Sequence, residues 1–154
     1  MPALVAGWHQ LVFVESRGSQ DALIIVSADE VGRRVVLEGI GPITCADWLD
    51  AEHIVFDLNR DGARGLYPID RNGGSMQLIS TPDLDAYAPI VSPDGRLIAF
   101  GHDHPEHDNT PCVTIMQRDG TLIRQVTYGT LAVDNLRWST DELTCSLGAK
   151  SLIC

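Results

Sequence analysis

The sequence predicts an all-β chain built from a repeated four-stranded antiparallel unit, and three observations carry that expectation. Four segments, "VAGWHQLVFVES", "CADWLDAEHIVFDL", "APIVSPDGRLIAFGH" and "NLRWSTDELTCSLG", each place a bulky apolar residue before a short polar turn and a run of β-forming residues. The bulky residues Trp8, Trp48, Val91 and Trp138 recur at intervals of 40, 43 and 47 residues, the size of one four-stranded propeller blade. No segment keeps apolar residues at i, i+3 and i+4 over three helical turns, so helix is not expected to organise the chain.

Each unit can be followed in order. The first, about 2–40, is the loosest, with "LVFVES", "ALIIVSAD" and "RRVVLEG" as its later strands. In the second, about 43–81, "HIVFDL" is followed by a loop "NRDGAR", a strand "GLYPID", a turn "RNGG" and a fourth strand "SMQLIST". The third, about 86–128, runs "LIAFGH", a His-rich loop, "CVTIMQ", a turn "RDG" and "TLIRQVTY". A fourth, about 133–154, is incomplete and stops in its third strand. Asn72-Gly73 and Asp119-Gly120 fall at the same place in their units and supply the positive φ that tight hairpins need. Pro68 removes a ladder donor, so a bulge there or an early end to the partner strand is expected. "TPDLDAYAP" is the best helical competitor, but Pro82 and Pro89 leave it only about two turns.

The 154 residues carry 11 basic against 21 acidic side chains, a formal charge of −10. Such a surface repels phosphate backbones and argues against nucleic-acid binding. The N-terminal stretch has no basic segment and no apolar run near 18 residues, so neither a signal peptide nor a membrane span is read there. A full-length chain would then be cytoplasmic, and a fragment of an exported protein periplasmic or extracytoplasmic. Cys45, Cys112, Cys145 and Cys154 lack C-x-x-C spacing and sit within or beside apolar runs, as buried free thiols in a reducing compartment would.

"APIVSPDGRLIAF" resembles the TolB-type WD40-like (PD40) repeat, in which a bulky residue and Ser-Pro-Asp-Gly precede an Ile-Ala-Phe strand. "NRDGARGLYPIDRNGG" is similar to the continuation of that repeat. The resemblance covers most of the chain, strongest from Ile43 to Thr127, and departs from the pattern at Val91, where Trp is usual. It implies a β-propeller of about three and a half blades and no particular activity. Such propellers occur in periplasmic binding proteins, as gating domains of serine peptidases and in polysaccharide lyases. Rings usually need four to eight blades, so an incomplete one leaves an open edge, and either a head-to-tail homo-oligomer, most simply a dimer, or an aggregation-prone fragment is expected.

Candidate sites are few. "HDHPEHD" gathers His102, Asp103, His104, Glu106, His107 and Asp108, and His102, His104, His107 and Asp108 could offer imidazole and carboxylate ligands to Zn or Mn. With Pro105 in the run and no regular element to hold ligands, a solvated polar loop is the preferred reading and any divalent site would be weak. "DLNRDG" opens like a calcium loop through Asp57, Asn59, Asp61 and Gly62, but the twelfth position is Pro68, where a bidentate Glu is needed, and the resemblance implies that Asn-Arg-Asp-Gly is a plain turn, which is the preferred reading. Stacked blades would put this loop, the His-rich loop and Glu15, Ser16 and Asp21 on one side. "GGSMQ" lacks the last Gly of a nucleophile elbow and lies in a hairpin context, so Ser75 is not read as a nucleophile. Trp8, Trp48 and Trp138 suit packing between blades. The leading expectation is a non-catalytic propeller scaffold or module that binds a protein or peptide and needs no cofactor. The alternatives are a fragment of a metal-dependent, lyase-like carbohydrate-active enzyme, or the propeller of a serine peptidase lacking its hydrolase domain.

Overall fold

A computed structural model describes residues 10–28, 32–104, 108–127 and 136–140, with 144–147 and 150–153 as backbone. Every regular element among them is a strand, arranged in open antiparallel sheets. The first sheet holds β1 (Gln10–Glu15), β2 (Ala22–Ser27) and β3 (Arg33–Glu38) in sequence order. The second holds β4 (Ala46–Trp48), β5 (His53–Arg60) and β6 (Ala63–Asp70). The third is four-stranded, with β7 (Asp85–Val91), β8 (Leu97–His104), β9 (Thr110–Gln117) and β10 (Leu122–Gln125). The last contains β11 (Arg137–Trp138), β12 (Thr144–Leu147) and β13 (Lys150–Ile153). Trp8 and His107 lie outside the described residues, as does the first strand of the first unit.

Each sheet is too thin to bury its own apolar face, so the cores lie between sheets. Alternation along a strand sends successive side chains to opposite neighbours. In β5, Ile54, Phe56 and Leu58 join Leu23 and Ile25 of the first sheet, whereas Val55 joins Ile98 and Phe100 of the third. On β8, Ala99 turns the other way, to Val113, Ile115 and Leu136. All of these are at most 4% exposed, which makes the blade-to-blade seams the true core.

The β5–β6 turn is a two-residue hairpin at Asp61-Gly62, closing between Arg60 and Ala63. Both residues have positive φ, 55° and 89°, as a type I′ turn demands, so the twist of the turn matches that of the strands. Asn59 Oδ1 accepts the Gly62 amide at 3.1 Å. The expected fourth strand "SMQLIST" does not form; its backbone meets β6 at Ile79, which donates to the Leu66 carbonyl at 3.0 Å. Pro68 explains this. Counting back from the hairpin, Leu66 and Pro68 turn their nitrogens away from β5. Leu66 donates outward to Ser80 Oγ at 3.1 Å, and the next outward donor is missing at Pro68. No bulge relieves Pro68, which pairs in register with Val55. The stretch "TPDLDAYAP" forms a turn and then enters β7, without helix.

Candidate functional site

The ends of β1, β5 and β8 and the starts of β2, β6 and β9 share one end of the molecule, where the sequence placed its candidate ligands. Their roles there differ from what their pattern implied. Asp57 lies within β5, not in a loop, and is 2% exposed. Its Oδ1 accepts the amides of Thr44 at 2.7 Å and Cys45 at 2.9 Å, and its Oδ2 accepts the Thr44 hydroxyl and the Ala88 amide, the latter at 2.9 Å. A carboxylate so occupied by its own chain ties β5 to the connector before β4 and to β7. Asp21 acts likewise: 7% exposed, it accepts the Ile43 amide at 2.8 Å. Glu15 is engaged by Arg17 at 2.8 Å and Arg33 at 2.7 Å, which hold its carboxyl below the usual range. Asn59 serves the hairpin, and Asp61 is exposed at its tip.

The His-rich run is shorter as a loop than the sequence implied, because β8 continues through His104 and β9 resumes at Thr110. His102 and His104, two residues apart on a strand, share a face with ring centroids 6.1 Å apart. His102 is 2% exposed; its Nε2 meets Thr114 Oγ1 at 2.9 Å and its Nδ1 is buried with no hydrogen-bond partner. Burial lowers its pKa, favouring the neutral imidazole. Asp108 is exposed in the following turn at φ 52°. Among the described residues, no three His, Cys, Asp or Glu side chains stand where they could hold a metal ion.

Charge at this end is concentrated on a seam the sequence did not reveal. Arg64 Nε lies 3.0 Å from both oxygens of Asp85, and its Nη2 reaches Asp85 at 2.5 Å and Asp103 at 3.0 Å. The guanidinium sits 4.1 Å over the Tyr87 ring, whose hydroxyl donates to Asp103 at 3.2 Å. Burial and then the Asp103 carboxylate push the Tyr87 phenol up to about 12. The Tyr87 ring lies flat over Gly101: a Cβ there would come within 2.7 Å of Cε2.

The inner strands β4, β7 and β11 border a groove of about 770 Å³. A smaller hollow of about 440 Å³ adjoins it and shares Ala46, Asp47, Ile90 and Arg137. Trp48 and Trp138 both line the groove and both also pack into seams, Trp48 against the first core and Trp138 against the third. The Trp138 indole donates to the Ile90 carbonyl at 3.2 Å. Arg71 places its guanidinium 5.9 Å over the Trp48 ring. Asp47, which sequence reasoning passed over, bridges two sheets: Oδ1 accepts the Trp48 amide and Oδ2 the Val91 amide, each at 2.8 Å. Burial raises the Asp47 pKa against the pull of those amides. The only signal was an acid directly before the repeat's Trp. Cys112 is a buried free thiol, but Cys45, expected to be buried, is exposed in the connector beside Asp57.

No family model matches the chain, and no curated protein does. Solved structures do. TolB from Acinetobacter baumannii is similar at a TM-score of 0.72 and 20% identity, covering 89% of this chain and 35% of that one. One of two prolyl endopeptidases matches at 0.64 and 17%, covering 89% of this chain and 20% of that chain. The tricorn protease matches at 0.60 and 17%, covering 89% and 14%. The chain therefore has a TolB-like β-propeller fold as an incomplete ring, and it spans about a third or less of the length of these proteins.

Proposed function

We propose that the chain is a non-catalytic propeller module that binds a protein or peptide through the groove along its inner strands. The observation that carries this is the groove itself, an apolar hollow with two indoles, Trp48 and Trp138, and one exposed cation, Arg137, at its wall. Aromatic anchors in a concave apolar site are the usual source of binding energy at protein interfaces. A displayed peptide library selected on the chain tests it, with each hit titrated against wild type, Arg137→Glu and Trp138→Ala. Hits should weaken at least tenfold in the groove variants. A library that yields no binder, or hits indifferent to both substitutions, overturns the reading.

The prolyl endopeptidase and tricorn likenesses support a second reading, the propeller of a peptidase whose hydrolase domain lies elsewhere. A peptidase segment in the same reading frame would favour it. Metal-dependent chemistry at His102, His104, His107 and Asp108 is the weaker proposal. Calorimetry with Zn²⁺ and Mn²⁺ should show binding no tighter than micromolar; nanomolar binding abolished by replacing the three His with Ala would promote the lyase-like alternative. Self-association head to tail is proposed as well, supported by the apolar side chains Leu11 and Phe13, 65% and 40% exposed.

A further inference from the structure

The inner strand of a propeller sheet has one edge paired and one edge turned to the channel. An unpaired edge presents a row of N–H and C=O groups on which another chain can add as a strand. In β7 that edge carries no free donor. Asp85, Tyr87 and Ile90 stand in register with Asp103, Gly101 and Ala99 of β8, and because the neighbouring amides of Ala86 and Val91 point away from β8, strand alternation turns these three toward it. Of the others, Ala86 donates to the Leu84 carbonyl at 2.9 Å, Ala88 to Asp57 Oδ2 at 2.9 Å and Val91 to Asp47 Oδ2 at 2.8 Å. Pro89 has no N–H to offer.

Both carboxylates come from the preceding sheet, not from β7's own. They bracket an irregularity: the β7–β8 register shifts between Tyr87 and Ile90, and Ala88 takes a φ of 51°. Bulges break the regular spacing an added strand requires. Asp47 also takes a donor of its own strand, since its other oxygen accepts the Trp48 amide at 2.8 Å. The next residue, Leu49, donates to the His53 carbonyl at 2.9 Å. One side chain thus takes a donor from each of two neighbouring inner strands. Charge-assisted bonds of this kind are stronger than those a neutral strand would offer in exchange.

We infer that Asp47 and Asp57 seal the channel edge of β7 against strand addition, so that a chain entering the groove is held there by its side chains. The second half rests on the binding reading above; the first half does not.

Asp47→Ala tests the seal, with Asp47→Asn, which keeps one acceptor oxygen, as the conservative control. Because truncation of buried Asp57 threatens the fold, that position is tested as Asp57→Asn and read at the Ala88 amide. Hydrogen exchange of Val91, measured against Ile98 in the same sheet, should quicken at least tenfold in Asp47→Ala and less in Asp47→Asn. Thioflavin fluorescence and light scattering under equal incubation should rise above wild type in the Ala variant. A folded Asp47→Ala protein whose Val91 exchange stays within about threefold of wild type overturns the seal. Faster exchange without any rise in strand-type assembly also overturns it, because the edge would then be open and still refuse addition. Neither measurement needs a peptide partner, so failure here is distinct from failure of the binding reading.

Discussion

Phe13, Phe56 and Phe100 occupy one position in three successive sheets, yet Phe56 and Phe100 are fully buried and Phe13 is 40% exposed. The residues two before them repeat the contrast, Ile54 and Ile98 at 0% against Leu11 at 65%. Local sequence does not distinguish the three strands. What differs is the neighbour: Phe56 is covered by the first sheet and Phe100 by the second. An identical side chain on an identical element becomes core or surface according to whether another blade lies against it.

The largest effect that could break this comparison is truncation of the paired phenylalanines. Phe100→Ala should cost about 3–5 kcal/mol, the range for a large aromatic removed from a packed core, and Phe13→Ala about 1 kcal/mol or less. Urea denaturation at matched concentration reads both. Equal losses would mean that the Phe13 face is covered in solution. Loss of a tie across the second seam comes next: Asp57→Ala strands the Thr44, Cys45 and Ala88 amides and should cost about 2–4 kcal/mol. Val14, at the corresponding place in β1, makes no such tie, and Val14→Ala should cost clearly less in the same assay.

A pH titration sharpens the contrast further. His102 lies on the buried seam and its pKa is depressed by burial. The unfolded chain therefore binds the proton more readily, so the stability His102 contributes is present above about pH 6.5 and is lost as pH falls. Its contribution should fall no faster than about 1.4 kcal/mol per pH unit. Denaturation midpoints between pH 7.5 and 5 should drop in wild type and flatten in His102→Gln. The self-association proposal is read by light scattering after size exclusion: Leu11→Glu with Phe13→Glu should lower the apparent mass, and an unchanged monomer in wild type would sink it. Smallest is Arg64→Lys. Losing the two-pronged contact to Asp85 across a partly exposed seam should cost about 1 kcal/mol or less.

The candidate residues sit on strands more than in loops, for one reason. "DLNRDG" looks like a ligand loop because its acids are spaced for calcium, but the alternation of "HIVFDL" continues through it to Arg60 and leaves only Asp61-Gly62 for the turn. The same continuation carries "GHDH" into β8, so His102 becomes a seam residue and Asp103 a partner of Arg64. Motif spacing assumes a loop; strand pairing decided how long the loop could be. The seam of Arg64, Asp85 and Asp103 joins residues 39 positions apart and had no local signature.

The sequence by itself determined the strand-rich repeat, the positive φ at Gly73 and Gly120 and the effect of Pro68, because alternation, positive φ and a missing N–H act within a few residues. Which face of each strand is core, which carboxylates are spent on backbone amides and where a groove opens were decided only by the tertiary structure. Those outcomes depend on how one sheet stacks on the next. No residue of a blade encodes its neighbour's position alone, since the buried face belongs to two blades at once.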